Sequence, residues 1–210
     1  LCRDWSSDVC SSDLTLRVRH LIIGDDFRFG ARRVGDFELL REAGKGLGFQ
    51  VEAMQTVEID GRRASSSAVR QALAEGRLEQ AAHLLGRPYS IDGRVVHGDK
   101  LGRQLGFATA NIRMKHDRPP LLGVFAVEVS GFGDSLMKGV ANLGFRPSAN
   151  QVVRPILEVH LFDFTGDLYG AHLNVRFLHK LRDEMKFPNF DALKAQIAAD
   201  VGAAKNYFTL

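Results

Sequence analysis

The stretch ILEVHLF, residues 156–162, alternates strictly: Leu157, Val159 and Leu161 fall on one face and Glu158, His160 and Phe162 on the other. That two-residue period is the signature of a β-strand with one face on a core. Similar runs flank it at Tyr89–Val96, Val124–Val129, Leu136–Ala141 and Leu173–Phe177, separated by glycine-rich turns. Short strands at such spacing predict a small antiparallel, Greek-key-like β-barrel. Pro188 then opens a helix whose Phe190, Leu193, Ile197, Val201 and Ala204 recur at spacings of three and four. That helix is expected to pack its apolar face onto the barrel, giving an α+β fold.

Upstream the pattern changes at Gly86-Arg-Pro88, which reads as a domain boundary. Residues 17–23 read as a strand, 35–43 as a helix and 49–57 as a second strand. Helices follow over 65–73, with serines available as N-caps, and over 77–85, closed by Gly86. Strand–helix–strand–helix order predicts a parallel, Rossmann-like α/β arrangement. Two strands are too few for a complete sheet of that kind, so residues 15–87 read as the back end of a larger domain. The cluster GKGLG, residues 44–48, follows a helix and precedes a strand, the reverse of a dinucleotide-binding turn, so it reads as a helix stop. Residues 1–14 contain the near-repeat WSSDVC and CSSDL without strand or helix periodicity. They read as a tail foreign to the fold that follows.

Composition narrows the function classes. The formal charge is only +3 and the cations are scattered, which is weak support for nucleic acid as a partner. No apolar run approaches the ~20 residues that cross a bilayer, and no basic-then-apolar leader opens the chain. Cys2 and Cys10 are the only cysteines, so neither a disulfide scaffold nor a cysteine zinc site can form, and a cytoplasmic location is expected.

Chemistry concentrates in GDKLGRQLGFATANI, residues 98–112. Gly98, Gly102 and Gly106 allow backbone to approach a ligand closely, and Lys100 and Arg103 offer donors to phosphate oxygens. Thr109 and Asn111 supply hard oxygen ligands acceptable to Mg²⁺. On pattern alone, a glycine-rich barrel loop with solvated cations fits equally well. Glu158 likewise reads as a surface carboxylate on a half-exposed strand.

The loop closely resembles the riboflavin kinase signature, a glycine-rich run followed by L-G-x-P-T-A-N. Further matches follow in order: GVFA (123–126), GVANLG (139–144), Arg146-Pro147, LEVHLFDF (157–164), DLYG (167–170) and LRDEMKF (181–187). The resemblance covers nearly all of residues 88–208, within a kinase domain expected over 88–210, and implies transfer of the ATP γ-phosphate to the ribityl 5′-hydroxyl of riboflavin, giving FMN. It implies that Gly98, Lys100, Gly102, Arg103, Gly106, Thr109 and Asn111 bind nucleotide, with Thr109 and Asn111 on Mg²⁺. Glu158 matches the family's catalytic carboxylate, and Arg182, in the loop before the last helix, a residue near the flavin and phosphate. Tyr169 and Phe187 are flavin-pocket candidates that read equally as core. The family usually has Pro where this chain has Ala108, which removes a fixed φ before Thr109 and loosens the loop.

Residues 21–73 resemble the end of the FMN adenylyltransferase domain fused to this kinase in many bacteria. LIIGDDFRFG (21–30) matches its ligand-side strand and loop, which implicates Asp26 and Phe27. SSSAVR (65–70) matches its serine-rich helix start, which implicates Ser65, Ser66 and Arg70. The family's H-x-G-H-type motif should precede Leu21 and does not, so adenylyl transfer to FAD is expected to be lost. The competing readings are a non-catalytic flavin- or nucleotide-binding remnant and a basic barrel gripping nucleic acid. Against the latter, the aromatics sit mostly inside alternating strands.

Overall fold

A computed structural model of the chain describes residues 18–98, 102, 106–114, 117–133, 136–147 and 153–209. The chain divides into two compact units, Leu1–Arg63 and Ala64–Leu210.

In the first unit, β1 (His20–Gly24) and β2 (Gln50–Met54) pair in parallel, with His20 opposite Gln50 and Gly24 opposite Met54. Parallel neighbours need a crossover, and α1 (Phe37–Leu47) supplies it. The helix starts two residues later than its periodicity suggests because Asp36 caps it, accepting the Leu39 N–H at 3.1 Å. Gly48, at φ 81°, stops it. Leu40 and Phe49 are buried with Ile23. A hairpin of β3 (Glu58–Ile59) and β4 (Arg62–Arg63) follows, which the sequence reading missed. Its turn is Asp60-Gly61, with φ of 52° and 68°, the left-handed pair that an Asp-Gly hairpin turn uses.

The second unit opens with α2 (Ser66–Ala74), where the Ser65 hydroxyl accepts the Ala68 N–H at 3.2 Å. Next comes α3 (Leu78–Leu85), closed by Gly86 at φ 70°. Both helices match the sequence expectation. Ala72, Leu73, Leu78 and Ala81 belong to the same buried cluster as the barrel interior. Compactness therefore divides the chain at Arg63, ahead of the pattern change at residues 87 and 88.

Six strands close the barrel: β5 (Ser90–Val96), β6 (Ala110–Ile112), β7 (Gly123–Ser130), β8 (Met137–Pro147), β9 (Val153–Leu161) and β10 (His172–Arg182). The order is β10-β5-β6-β9-β8-β7, with every pair antiparallel. β7, β8 and β9 run as consecutive hairpins, and β6 returns by a long connection to lie beside β9. That is a Greek key. β6 was not read as a strand, since three residues are too few to show alternation. β10 runs five residues past its expected end at Phe177, because register shifts after Phe177 and after Lys180 break the alternation. Arg182 accordingly ends a strand rather than lying in a loop.

Phe125, Val127, Leu143, Leu157, Val159, Val175 and Phe177 fill the barrel, with the rings of Phe125 and Phe177 edge-to-face at 5.3 Å. Val124 and Ala126 of β7 face the other way and are also buried, with Val140, Phe162 and Ala204. α4 (Phe190–Tyr207) covers that outer patch, and Asn189 rather than Pro188 caps it by accepting the Ala192 N–H at 2.8 Å. Leu193, Ile197, Val201 and Ala204 form its inward face. Phe190 does not join them and is 63% exposed, since a first-turn side chain projects back past the helix end.

Candidate active site

Register assembles the site on the outside of the barrel. Glu158 of β9 stands opposite Asn111 of β6 on one side and Asn142 of β8 on the other. Directly opposite residues share a face. Leu157 and Val159 point into the core, so the row Asn111–Glu158–Asn142 points outward.

Gly98 and Gly102, described residues of the glycine-rich stretch, pack closely against side chains and backbone of this face. A Cβ on Gly98 would strike the Asn111 carboxamide, and one on Gly102 would strike the Phe107 carbonyl and come within 3.1 Å of the Thr109 hydroxyl. Phe107 also donates its N–H to the Gly102 carbonyl at 2.8 Å. Only glycine fits at either position. Gly106, at φ 91°, supplies the turn and is exposed. Lys100 and Arg103 lie outside the described residues.

Two cavities meet at Thr109 and His160. The larger, of about 310 Å³, is lined by the polar Thr109, Asn142, Glu158 and His160 and the charged Arg182, Glu184 and Asp200, together with apolar side chains that include Val140, Phe187 and Ile197. The smaller, of about 100 Å³, is lined by Ala108, Thr109, His160, Phe164, Asp167 and Tyr169. The His160 Nδ1 lies 2.8 Å from the Ala108 carbonyl oxygen.

Arg182 lines the larger cavity, but its guanidinium is engaged. Nε and one terminal nitrogen donate to the two Asp200 carboxylate oxygens at 2.8 and 2.6 Å. The other terminal nitrogen donates to the Asp183 carbonyl at 2.9 Å, and the group lies 5.8 Å over the Phe187 ring. Gln196 donates to Asp200 at 2.9 Å. Asp200, buried on α4, is thus fully satisfied. Glu184 packs against Gly144, where a side chain would collide with its carboxylate, and so folds the segment after β10 back onto β8. Lys180 bonds Asp183 at 2.6 Å, and that hydrogen bond holds the exposed Asp183 carboxyl below its usual range.

Thr109, Asn111, Glu158, Arg182, Gly98 and Gly102 are therefore brought to one face of the barrel, and Phe187 joins them. Tyr169 is not in the Glu158 cavity. It lines the smaller one, its ring 3.9 Å from that of His97. Asn142, His160, Phe145 and Glu184 were not singled out from the sequence as site residues. For Asn142 a signal was present, since it lies within GVANLG.

The donor set suits a small hard cation shared with phosphate. Thr109 and Asn111 offer neutral oxygens on the strand beside the one that carries Glu158, and glycine backbone packs closely against both. Among the described residues no cluster of three or more His, Cys, Asp or Glu could hold a metal by itself, so ligand oxygens would complete the shell.

In the first unit, Asp26 pairs with Arg63 at 2.8 Å, and the hydrogen bond from Arg63 lowers its carboxyl pKa. Phe27 stacks on Phe29 at 5.8 Å. In the second, Ser65, Ser66 and Arg70 line an open groove with Val69, Tyr89 and Pro119.

The riboflavin kinase family profile matches residues 85–208, and the FAD synthetase profile matches residues 11–68. The bifunctional riboflavin kinase/FMN adenylyltransferase of Escherichia coli strain K12 is 52% identical over 195 residues, covering 93% of this chain and 62% of that protein. The enzyme of the same description from Pseudomonas fluorescens is 54% identical over 190 residues, covering 90% and 61%. A crystal structure described as a macrolide-efflux protein from Streptococcus pneumoniae superposes with a TM-score of 0.68 at 32% identity, covering 88% of this chain and 60% of that one. No helix among the described residues is long and apolar enough to cross a membrane. The chain spans about three-fifths of the length of these curated relatives.

Proposed function

The chain belongs to the riboflavin kinase family, and on that premise we propose that it transfers the γ-phosphate of ATP to the 5′-hydroxyl of riboflavin, giving FMN. The observation that carries the proposal is the outward row Asn111–Glu158–Asn142, of which Glu158 and Asn142 line a cavity that also has a broad apolar wall. A flat apolar ring system with a polyol tail matches that shape, with its ring between the barrel and α4 and its terminal hydroxyl at Glu158. Glu158 orients the hydroxyl and accepts its proton as the new P–O bond forms. Arg182 acts through Asp200 and Phe187 to set the wall of the flavin cavity.

The nucleotide enters across Thr109 from the smaller cavity, which makes Tyr169 a neighbour of the nucleotide rather than of the flavin. Gly98, Gly102 and Gly106 let the backbone close on the phosphates, and Lys100 and Arg103 are assigned to their oxygens. Thr109 and Asn111 would hold Mg²⁺. When bound, that ion would offset charge on the β- and γ-phosphates.

Adenylyl transfer is assigned to the longer relatives, and these 210 residues alone are proposed to stop at FMN. Riboflavin and ATP are the proposed partners, in a cytoplasmic setting, with neither nucleic acid nor membrane required. Incubation with riboflavin, ATP and Mg²⁺, read by mass spectrometry, tests the reading. A product of FMN mass is expected. Flavin binding without turnover would favour a non-catalytic remnant, and FAD as product would contradict the assignment of the second activity.

A further inference from the structure

Among the described residues, His160 is the one ring that borders both cavities, and its partner is a backbone atom of the loop between them. The Ala108 carbonyl can only accept, so the 2.8 Å contact requires a proton on Nδ1. This fixes the neutral tautomer as Nδ1–H, with Nε2 unprotonated. The ring also meets two aromatic neighbours edge-to-face, Phe107 at 5.6 Å and Phe162 at 6.1 Å. The bond spans 52 residues of chain and acts on the peptide unit joining Ala108 to Thr109. Holding that carbonyl sets the plane from which the Thr109 amide and side chain project.

Resting on the kinase reading above, we propose that His160 is a positioning residue. Its Nδ1–H anchors the Ala108 carbonyl and so places Thr109 at the boundary where nucleotide phosphates meet the acceptor hydroxyl. Asparagine can present its Nδ2–H₂ near the place of the imidazole Nδ1, whereas leucine and phenylalanine offer no donor. The test compares His160→Leu, His160→Phe and His160→Asn by steady-state kinetics and by the Thr109 amide resonance. Two donor-less variants are used so that a folding failure in one leaves the other.

Losing one such hydrogen bond should raise KM for ATP about five- to tenfold, with kcat changed by less than about twofold. The Thr109 amide resonance should move in the Leu and Phe variants. His160→Asn should restore both readouts. An unchanged KM for ATP in the donor-less variants, or an Asn variant as impaired as Leu, would overturn the proposal. So would a rise in KM confined to riboflavin, which would make His160 only a wall of the larger cavity. If the unmodified chain forms no FMN, the kinase reading fails by itself. The amide resonance then decides on positioning alone: displacement in Leu and Phe with recovery in Asn supports it, and no displacement contradicts it.

Discussion

Gly102 and Gly106 stand four residues apart in one loop and are glycine for different reasons. At Gly102 a Cβ would strike the Phe107 carbonyl and crowd the Thr109 hydroxyl, whereas at Gly106 the space is open and φ is 91°. Gly102→Ala should therefore displace Thr109 and raise KM for ATP at least about fivefold with little change in thermal stability. Gly106→Ala should lower stability by about 1 kcal/mol through backbone strain, with a smaller kinetic effect. Kinetics and thermal unfolding of both variants check the contrast, and equal effects on KM would contradict it. Ala108→Pro belongs at this scale too: it should lower KM for ATP, because a fixed φ would add to the restraint that His160 already supplies. Thr109 and Glu158 were legible in the sequence because each sits in a motif that survives being read along the chain. Asn142 and His160 owe their places to strand register and to a bond across 52 residues, which no local pattern displays.

Among the elements, α4 is held by a partly buried ion pair. Asp200 lies on the inward face between Ile197 and Val201, and Arg182 meets it from the end of β10 with two hydrogen bonds. Removing one partner leaves the other charge less well compensated, so Asp200→Leu should cost about 2 kcal/mol in denaturant unfolding. The double variant Arg182→Met with Asp200→Leu should recover most of that loss. Failure of the double variant to recover would show that packing rather than charge is at stake. α1 in the first unit depends on a different contact. The Leu39 N–H holds the Asp36 carboxyl below its usual value of 3.8, with Arg28 adding to the shift. A depressed folded-state pKa stabilises above the unfolded value and loses that contribution as pH falls through the folded one. Acidification below about pH 4 should thus weaken α1, and less so in Asp36→Asn, as hydrogen exchange of residues 37–47 would report. The sequence conveyed the apolar stripe of α4 but not Asp200, because a carboxylate on a buried face makes sense only once Arg182 is known to lie against it. The register shifts that carry Arg182 there also hid the end of β10 from any search for alternation.

At the scale of the molecule, the barrel does not end its core at its first strand. Ala72, Leu73, Leu78 and Ala81 bury against the same cluster as Phe125 and Phe177, so α2 and α3 belong to the folding unit that carries the site. A fragment of residues 64–210 should make FMN at a rate within about twofold of the full chain. A fragment of residues 88–210 should unfold at markedly lower denaturant, since it loses part of that core and exposes its partners. Equal stability of the two fragments would favour a boundary at Pro88. The pattern change at Gly86-Arg-Pro88 was legible as a change of local structure, but local structure does not report which surfaces are buried together. The antiparallel barrel class and the covering helix were legible because alternation and helical periodicity report directly on which faces need covering, whereas the closure through β6 was not. The central claim is that the outward carboxylate of β9 serves the transfer of phosphate to a flavin hydroxyl, and Glu158→Gln tests it most directly. The account predicts that kcat for FMN formation falls by about 10²-fold or more while riboflavin binding stays within about threefold of the unmodified chain. A Glu158→Gln variant that forms FMN at an undiminished rate would contradict it.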